Sequence, residues 1–304
     1  MDNKPTKIIV DKVIGFKTVP KEFLVSSDFN IIYALGLGFN EDQLNEKEFK
    51  FTYELNDEFS VFPTYASVIP INDLLTVFNT CPGMPEINPM MSLHGEQFCE
   101  FIAPFPKDEK IQFVSEVVDL EDKGKGTVIC IQNKIFNPTD NKVIAITHSN
   151  LFIRGLKGEG YKGNGTLKKL SLPSVPKTTP FKDLQLSTKK NQALIYRIGG
   201  NDKNPLHVDP NMSSMGGFEV PILHGLCFYG ITAKAAYTLF CDNDVNRMKS
   251  FNARFTSHVI PGETLIVEFY KHPKESNKVI VSTKTKERGL IVLQGEFTLQ
   301  NTKF

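Results

Sequence analysis

Between positions 111 and 154 the chain alternates apolar and polar residues in three runs, Ile111 to Asp119, Thr127 to Phe136 and Lys142 to Arg154, separated by the strings EDKGKG and NPTDN. Period-two alternation broken by Gly, Pro, Asn and Asp predicts three β-strands joined as a meander. The pattern returns in Thr264 to His272, Lys278 to Glu287 and Leu290 to Leu299, joined by PKESN and RG. Ahead of each meander stands a similar lead-in, LHGEQFCEFIAPFPKDEK and FNARFTSHVIPGET, which reads as one further strand running into a proline turn. Further upstream, Tyr33-Ala-Leu-Gly-Leu-Gly and Tyr196-Arg-Ile-Gly-Gly match one another. The chain is built as two copies of one unit.

Leu226 to Phe240 is apolar around its whole circumference, which predicts a buried helix. An antiparallel sheet wrapped around such a helix gives an α+β fold. The first copy offers only a fragment of the helix, Asn72 to Asn79, cut short by the prolines of CPGMPEINP. Gly155 to Ser187, with GEGYKGNG and LPSVPKTTP, reads as a crossing linker with little core of its own. The expected division is therefore a first copy over 1–155, a linker over 156–187 and a second copy over 188–304.

Composition narrows the function classes. The 304 residues are 40% apolar, enough for a core, and the net charge of +1 argues against a general nucleic-acid binder, which meets phosphates with a basic face. Five cysteines, scattered and odd in number with no Cys-x-x-Cys pair, suit reduced thiols in a reducing compartment. The N-terminal MDNKPTKIIVDKVIGF lacks an apolar signal core, and no apolar run is long enough to span a bilayer.

The densest chemistry lies in Asp202-Lys-Asn-Pro-Leu-His207-Val-Asp-Pro, followed by Ile222-Leu-His-Gly225-Leu. Pro205 disfavours helix at Asn204, so Asp202 and His207 belong to a fixed loop from which their side chains can converge. Gly225 opens the buried helix, where unpaired N–H groups favour negative charge. A carboxylate, an imidazole and a helix start together suit acid–base chemistry beside a carbonyl that gains negative charge. The plainer alternative is a turn-capping Asp and a histidine that satisfies a backbone carbonyl. Metal sites of the zinc type show tighter ligand spacing, so no metal or other cofactor is expected and His224 is assigned a supporting role.

The string NDKNPLHVDPNMSSMGGFEVPILHGLCFYG resembles the signature of the type 2 enoyl-CoA hydratases, the MaoC-like unit of peroxisomal multifunctional enzyme type 2. Further similarity runs through YALGLGF, FTYE, FPTYASVI, NPMMSLHGEQ, DKGKG and NARF, and so covers nearly the whole chain. One departure is the stretch Ile198-Gly199-Gly200-Asn201, one residue longer than the family pattern, with the Asp-to-His spacing intact. The resemblance implies a double hot-dog. The first copy has no Asn-Pro-Leu-His loop after its Tyr-Ala-Leu-Gly and only a fragment of the helix, so the second copy is read as the catalytic one and the first as having given up catalysis to open space for a long acyl chain. It implies (3R)-specific hydration of (2E)-enoyl-CoA in fatty-acid β-oxidation, with Asp202 and His207 as the acid–base pair and Gly225 as oxyanion donor. Glu54 corresponds to a family glutamate linked to activity, expected to hold the site together by hydrogen bonds. Expected ligand contacts are His94, Gly95, Lys123, Asn204, Pro205, Leu206, Gly225 and Phe255, to which Arg254 is added as a phosphate anchor because its planar fork suits phosphate. The expected partners are an acyl-CoA thioester and a second copy of the chain. A peroxisomal location is expected, although Thr302-Lys303-Phe304 only loosely imitates a Ser-Lys-Leu address and the cytoplasm is the alternative. Alternatives kept open are an acyl-carrier-protein dehydratase, a thioesterase on the same fold, and a non-catalytic acyl-CoA-binding module.

Overall fold

A computed structural model describes residues 4–300. Both meanders form as their alternation requires: β3 (Glu109–Asp122), β4 (Gly126–Phe136) and β5 (Val143–Arg154) in the first copy, β8 (Thr264–Lys271), β9 (Lys278–Thr285) and β10 (Ile291–Leu299) in the second. The lead-ins become β2 (Ser92–Phe101) and β7 (Met248–Phe255), and two edge strands, β1 (Lys21–Val25) and β6 (Lys182–Ser187), complete the set. The order β1-β3-β4-β5-β2-β7-β10-β9-β8-β6 reads the same way for both copies when taken from the outside inwards. The expected two sheets are thus one antiparallel sheet of ten strands, closed at the seam where Glu96 to Glu100 of β2 pairs with Arg254 to Ser250 of β7.

Along β3, Ile111, Phe113, Ser115 and Val117 point inward while their neighbours are partly exposed, the alternation a one-sided sheet demands. The central helix Gly225–Phe240 lies against this inner face, and nearly all of its side chains are buried. It belongs to the second copy but serves both. Tyr229 stacks on Phe251 at 4.5 Å and donates to its carbonyl at 2.8 Å. Tyr237 packs edge-on against Phe51 and Phe62 of the first copy, and Lys234 donates to the Gly38 carbonyl. In the first copy, a helix of only seven residues, Leu74–Thr80, covers part of the sheet. Beside it the buried polar chain Asp73, Ser115, Asn133 and Thr147 occupies positions that are apolar in an ordinary core. The arrangement is a double hot-dog.

The linker reading is corrected in two places. Residues 182–187 are β6, paired with β8, because Leu184 and Leu186 alternate with polar residues and settle on the core. Residues 160–170 are tied to β3 rather than free. The buried Asp119 accepts from the backbone N–H groups of Asn164 at 2.8 Å and Leu167 at 3.0 Å, and Asp122 accepts from that of Gly160 at 2.9 Å.

The two Tyr-containing lead-ins are helices, Ser27–Gly36 and Gln192–Gly199, packed on one another with Tyr33 and Tyr196 ring centres 5.8 Å apart. A Cβ at Gly199 would lie 2.2 Å from the Tyr33 nitrogen, so only glycine permits this approach. A fragment of residues 177–304 loses β2 from the open edge of β7, the Tyr33 partner of Tyr196, and the carbonyl that receives Lys234. It is expected to aggregate or to pair with a second copy of itself, because an unpaired edge and uncovered apolar surface seek a partner. Sizing chromatography checks this, and a stable monomer with normal turnover of long acyl chains is the contrary result.

Candidate active site

The helix Gln192–Gly199 ends at Gly200, and Asn201 follows in the left-handed region with φ 52°, a conformation asparagine tolerates at a helix end. The additional residue before the loop falls at this helix end, immediately ahead of Asp202. Three short side-chain caps hold this loop. Asp202 Oδ1 accepts from the Asn204 N–H at 3.0 Å, Asn204 Oδ1 from Leu206 N–H at 3.1 Å, and Asp209 Oδ1 from Asn211 N–H at 2.8 Å. Pro205 opens the single 3-10 turn Pro205–His207. Asn204, Pro205 and Leu206 thus make the scaffold that aims His207.

The plain structural roles of Asp202 and His207 are both present, and each uses one atom only. His207 Nδ1 lies 2.9 Å from the Ile222 carbonyl, so it carries the proton and leaves Nε2 as a free acceptor. One oxygen of Asp202 caps the turn and the other is left for chemistry. His224, the residue before Gly225, donates from Nε2 to the Asp202 carbonyl at 3.2 Å and stacks on His207 with ring centres 3.8 Å apart and planes at 29°. Its Nδ1 is buried without a partner. Spacing along the chain holds no sign of this proximity, since His207 and His224 lie on either side of an intervening loop and helix.

Donor atoms of Asp202, His207 and His224 all lie within 4.8 Å of one another. That is a potential metal set, contrary to what spacing alone suggests. Two of its three members, however, already use a ring nitrogen on a backbone carbonyl, His207 Nδ1 on Ile222 and His224 Nε2 on Asp202, and a structural zinc site takes four protein ligands where three are present. A water molecule hydrogen-bonded by an imidazole and a carboxylate suits the geometry better.

Electrostatics keep the imidazoles neutral. Burial lowers the pKa of His207, opposed by the Asp202 charge and the bond to Ile222. Burial and the neighbouring His207 push His224 down to about 2. His94, also buried, is lowered to about 4, with its Nε2 unpartnered and Asp202 near enough to oppose the shift. A group whose folded pKa lies below its unfolded value stabilises the protein above the unfolded pKa and loses that contribution as pH falls. Each buried histidine has an unfolded value near 6.5. Burial likewise lowers His148, on β5, to about 4. Thermal stability is therefore expected to decline as pH falls from 6.5 to about 4, the window in which His94 and His148 are protonated in the unfolded chain and neutral in the fold. Melting temperature followed against pH checks this, and a flat profile over that window refutes it.

Gly225 is the first residue of the central helix, so its N–H has no intrahelical acceptor and points outward along the axis. Phe255 lies beside it, 3.5 Å from where a Cβ would be, and meets the His94 ring edge-on at 5.4 Å. The β2 register slips between His94 and Glu96, a bulge that turns His94 inward and leaves Gly95 on the opening side.

From Phe255 a cleft of about 560 Å³ runs outward, lined by Gly95, Lys123 and Arg254 among others. Four of the expected ligand contacts thus share one cleft. Arg254 is not a free anchor: Glu96 holds its guanidinium at 2.6 Å, and Lys123 is paired with Glu121 at 2.7 Å. The cleft also takes in Lys162 and Lys168, which the sequence did not single out because they fall in the supposed linker.

Glu54 is not brought to this cluster. It follows the short helix Phe49–Thr52, whose Phe51 packs on Tyr237 at the far end of the central helix, about 18 Å along the axis from Gly225 at the usual rise per residue. Its backbone carbonyl accepts from Lys107 at 2.7 Å. The expected hydrogen-bonding role of the Glu54 side chain therefore stays a proposal.

Residues 23–155 match the MFE-2 hydratase 2 N-terminal domain, and residues 172–292 match the MaoC like domain. A probable enoyl-CoA hydratase 2 of Dictyostelium discoideum is 38% identical over 93% of this chain and 94% of its own length. The peroxisomal enoyl-CoA hydratase 2 of Arabidopsis thaliana is 34% identical over 87% of this chain and 86% of its own. A solved MaoC-like dehydratase from Phytophthora capsici superposes with a TM-score of 0.83 at 33% identity, covering 96% of this chain and 98% of that one. Matched over both copies, and carrying the Asp202 to His207 loop beneath the start of its central helix, the chain belongs to the type 2 enoyl-CoA hydratases of the MaoC-like family.

Proposed function

We infer that the protein adds water to (2E)-enoyl-CoA thioesters to give (3R)-3-hydroxyacyl-CoA, the hydration step of fatty-acid β-oxidation. The observation that carries the reading is the convergence of a free imidazole nitrogen and a free carboxylate oxygen beside an unpaired helix N-terminal N–H. Water gives a proton to His207 Nε2 as its oxygen bonds C3. The double-bond electrons move toward the thioester oxygen, where the Gly225 N–H meets the growing charge. The imidazolium returns its proton to C2, while the Asp202 carboxylate orients the water and offsets the transient positive charge. The sum adds H and OH across the double bond and needs no electron or group carrier.

The CoA portion is assigned to the Lys123 and Arg254 cleft. The acyl tail is assigned to the first copy, 1–155, leaving 188–304 as the catalytic copy. At the far end of the β2/β7 seam stands a cavity of about 300 Å³ lined by Val61, Pro63, Phe101, Phe105 and Ile144. The stacked Tyr229 and Phe251 stand in the core along the same seam, so only tails that displace packing would draw on this cavity.

Purified protein assayed with four-, ten- and sixteen-carbon enoyl-CoA, with chiral analysis of the product, tests the reading. Hydrolysis without hydration favours the thioesterase alternative, a (3S) product contradicts the stereochemistry, and ligand binding without turnover favours the non-catalytic module. A homodimer is proposed because Phe29, Leu35, Leu194 and Ile198 are exposed apolar side chains on two adjoining helices. A peroxisomal location follows the name of the Arabidopsis relative. The terminal Thr302-Lys303-Phe304 lies outside the described residues. No helix among those described is long and apolar enough to cross a membrane.

A further inference from the structure

We propose that residues 160–171 are the phosphate-recognition wall of the substrate cleft, with Lys162 and Lys168 binding the phosphates of a nucleotide-bearing thioester. The inference rests on the acyl-thioester reading above and specifies how the carrier is recognised.

Charge balance in the cleft points to these two lysines. Four cations line it, Lys123, Lys162, Lys168 and Arg254, against two carboxylates, Glu96 and Glu121. Both carboxylates are engaged by the cations of the two hot-dog copies, Glu96 by Arg254 and Glu121 by Lys123. The surplus of two positive charges therefore comes from the segment between the copies. Lys162 and Lys168 are exposed, and neither is paired with a carboxylate that lines the cleft; the nearby acid is Asp122 at the end of β3, whose carboxyl Lys162 helps to hold below the usual range after the Gly160 and Gly124 N–H groups.

The segment is held firmly enough to recognise rather than merely attract. Asp119 is fully buried and receives the N–H groups of Asn164 and Leu167, one on each carboxylate oxygen. Asn164 Nδ2 donates to the Val118 carbonyl at 2.7 Å. The Tyr161 carbonyl accepts from Asp122 N–H at 2.8 Å, and the Leu170 carbonyl accepts from Asn252 Nδ2 at 2.7 Å. Lys162 and Lys168 are thus fixed at both flanks by bonds to β3 and β7, so little backbone order has to be imposed when a ligand arrives. The same cleft ends at Gly95 and Phe255, beside Gly225, so one ligand spans from the lysines to the reacting carbonyl.

A free CoA thioester carries a diphosphate and a ribose phosphate at the end remote from the acyl group, whereas a carrier-protein thioester carries a single phosphodiester. Lys162 and Lys168 would make the protein selective for the former. The test uses the full-length chain with both lysines changed, Lys162→Ala and Lys168→Ala together, and the same enoyl group presented on CoA or on N-acetylcysteamine, which has no phosphate. KM for the CoA thioester is expected to rise about tenfold, two exposed ion pairs' worth, with kcat within about twofold. KM for the N-acetylcysteamine thioester is expected to stay unchanged, and the Lys162→Arg, Lys168→Arg pair is expected to retain most of the CoA affinity. Added salt should raise the wild-type KM for CoA more than that of the alanine pair. An unchanged KM for CoA, or equal rises for both thioesters, overturns the proposal and leaves the hydratase reading intact. Failure of the wild type to hydrate either thioester overturns both.

Discussion

Asp202→Asn and His207→Gln are each expected to lower kcat by at least about 100-fold, the lower end of the loss when a positioned acid–base group is removed. Both substitutions preserve the structural half of the side chain's work. Asparagine keeps an oxygen for the Asn204 N–H, and glutamine keeps an amide N–H for the Ile222 carbonyl. What disappears is the negative charge in the first case and the free basic nitrogen in the second. The double variant is expected to be little worse than either single one, because both groups serve one water molecule and their effects do not add. Burial depresses the pKa of His207, so the neutral, active form persists below the pH at which an ordinary histidine protonates. The acid limb of the wild-type profile accordingly falls below pH 6.5, and residual turnover in His207→Gln should lack that limb. Circular dichroism and melting temperature establish folding. A folded variant that keeps most of the wild-type kcat removes the dyad.

Much of this architecture was legible because it is written locally. Period-two alternation found all six strands of the two meanders, and the all-round apolar run found the central helix. The edge strands β1 and β6 escaped because they are short and half exposed, with Leu184 and Leu186 the only inward anchors of β6. The helices around Tyr33 and Tyr196 escaped because each is defined by its contact with the other rather than by its own pattern. At the site, Asp202, His207 and Gly225 were visible through loop chemistry and family likeness. The stacking of His224 on His207, the pairing of Arg254 with Glu96 and the arrival of Lys162 and Lys168 in the cleft were not. Each joins residues separated by a loop, a sheet seam or a linker, and no spacing rule spans those distances. For Glu54 the similarity of a string marks a position in the fold, beside a helix whose Phe51 packs on Tyr237, and not a contact of its side chain.

Gly225→Pro should lower kcat by about 100- to 1,000-fold, the cost of removing one oxyanion donor, while leaving the fold intact. The first position of a helix is where proline is best accepted, since its N–H has no intrahelical partner to lose. The preceding residue must be extended, and His224 already stands at φ −55° and ψ 134°. The substitution thus deletes one hydrogen atom with chemical meaning and adds ring carbons in its place. Gly225→Ala is the companion variant. Its Cβ would sit 3.5 Å from the Phe255 ring, an ordinary contact, and it keeps the N–H, so kcat is expected to stay within a few-fold of wild type. Crowding by the proline ring is separated from loss of the donor by measuring the Kd of a saturated acyl-CoA. Crowding weakens this ground-state binding, whereas loss of a bond that strengthens only as charge reaches the thioester oxygen lowers kcat and leaves Kd nearly unchanged. If the folded proline variant turns over at close to the wild-type rate, the start of the central helix is not the oxyanion site, and the negative charge must be met elsewhere in the cleft.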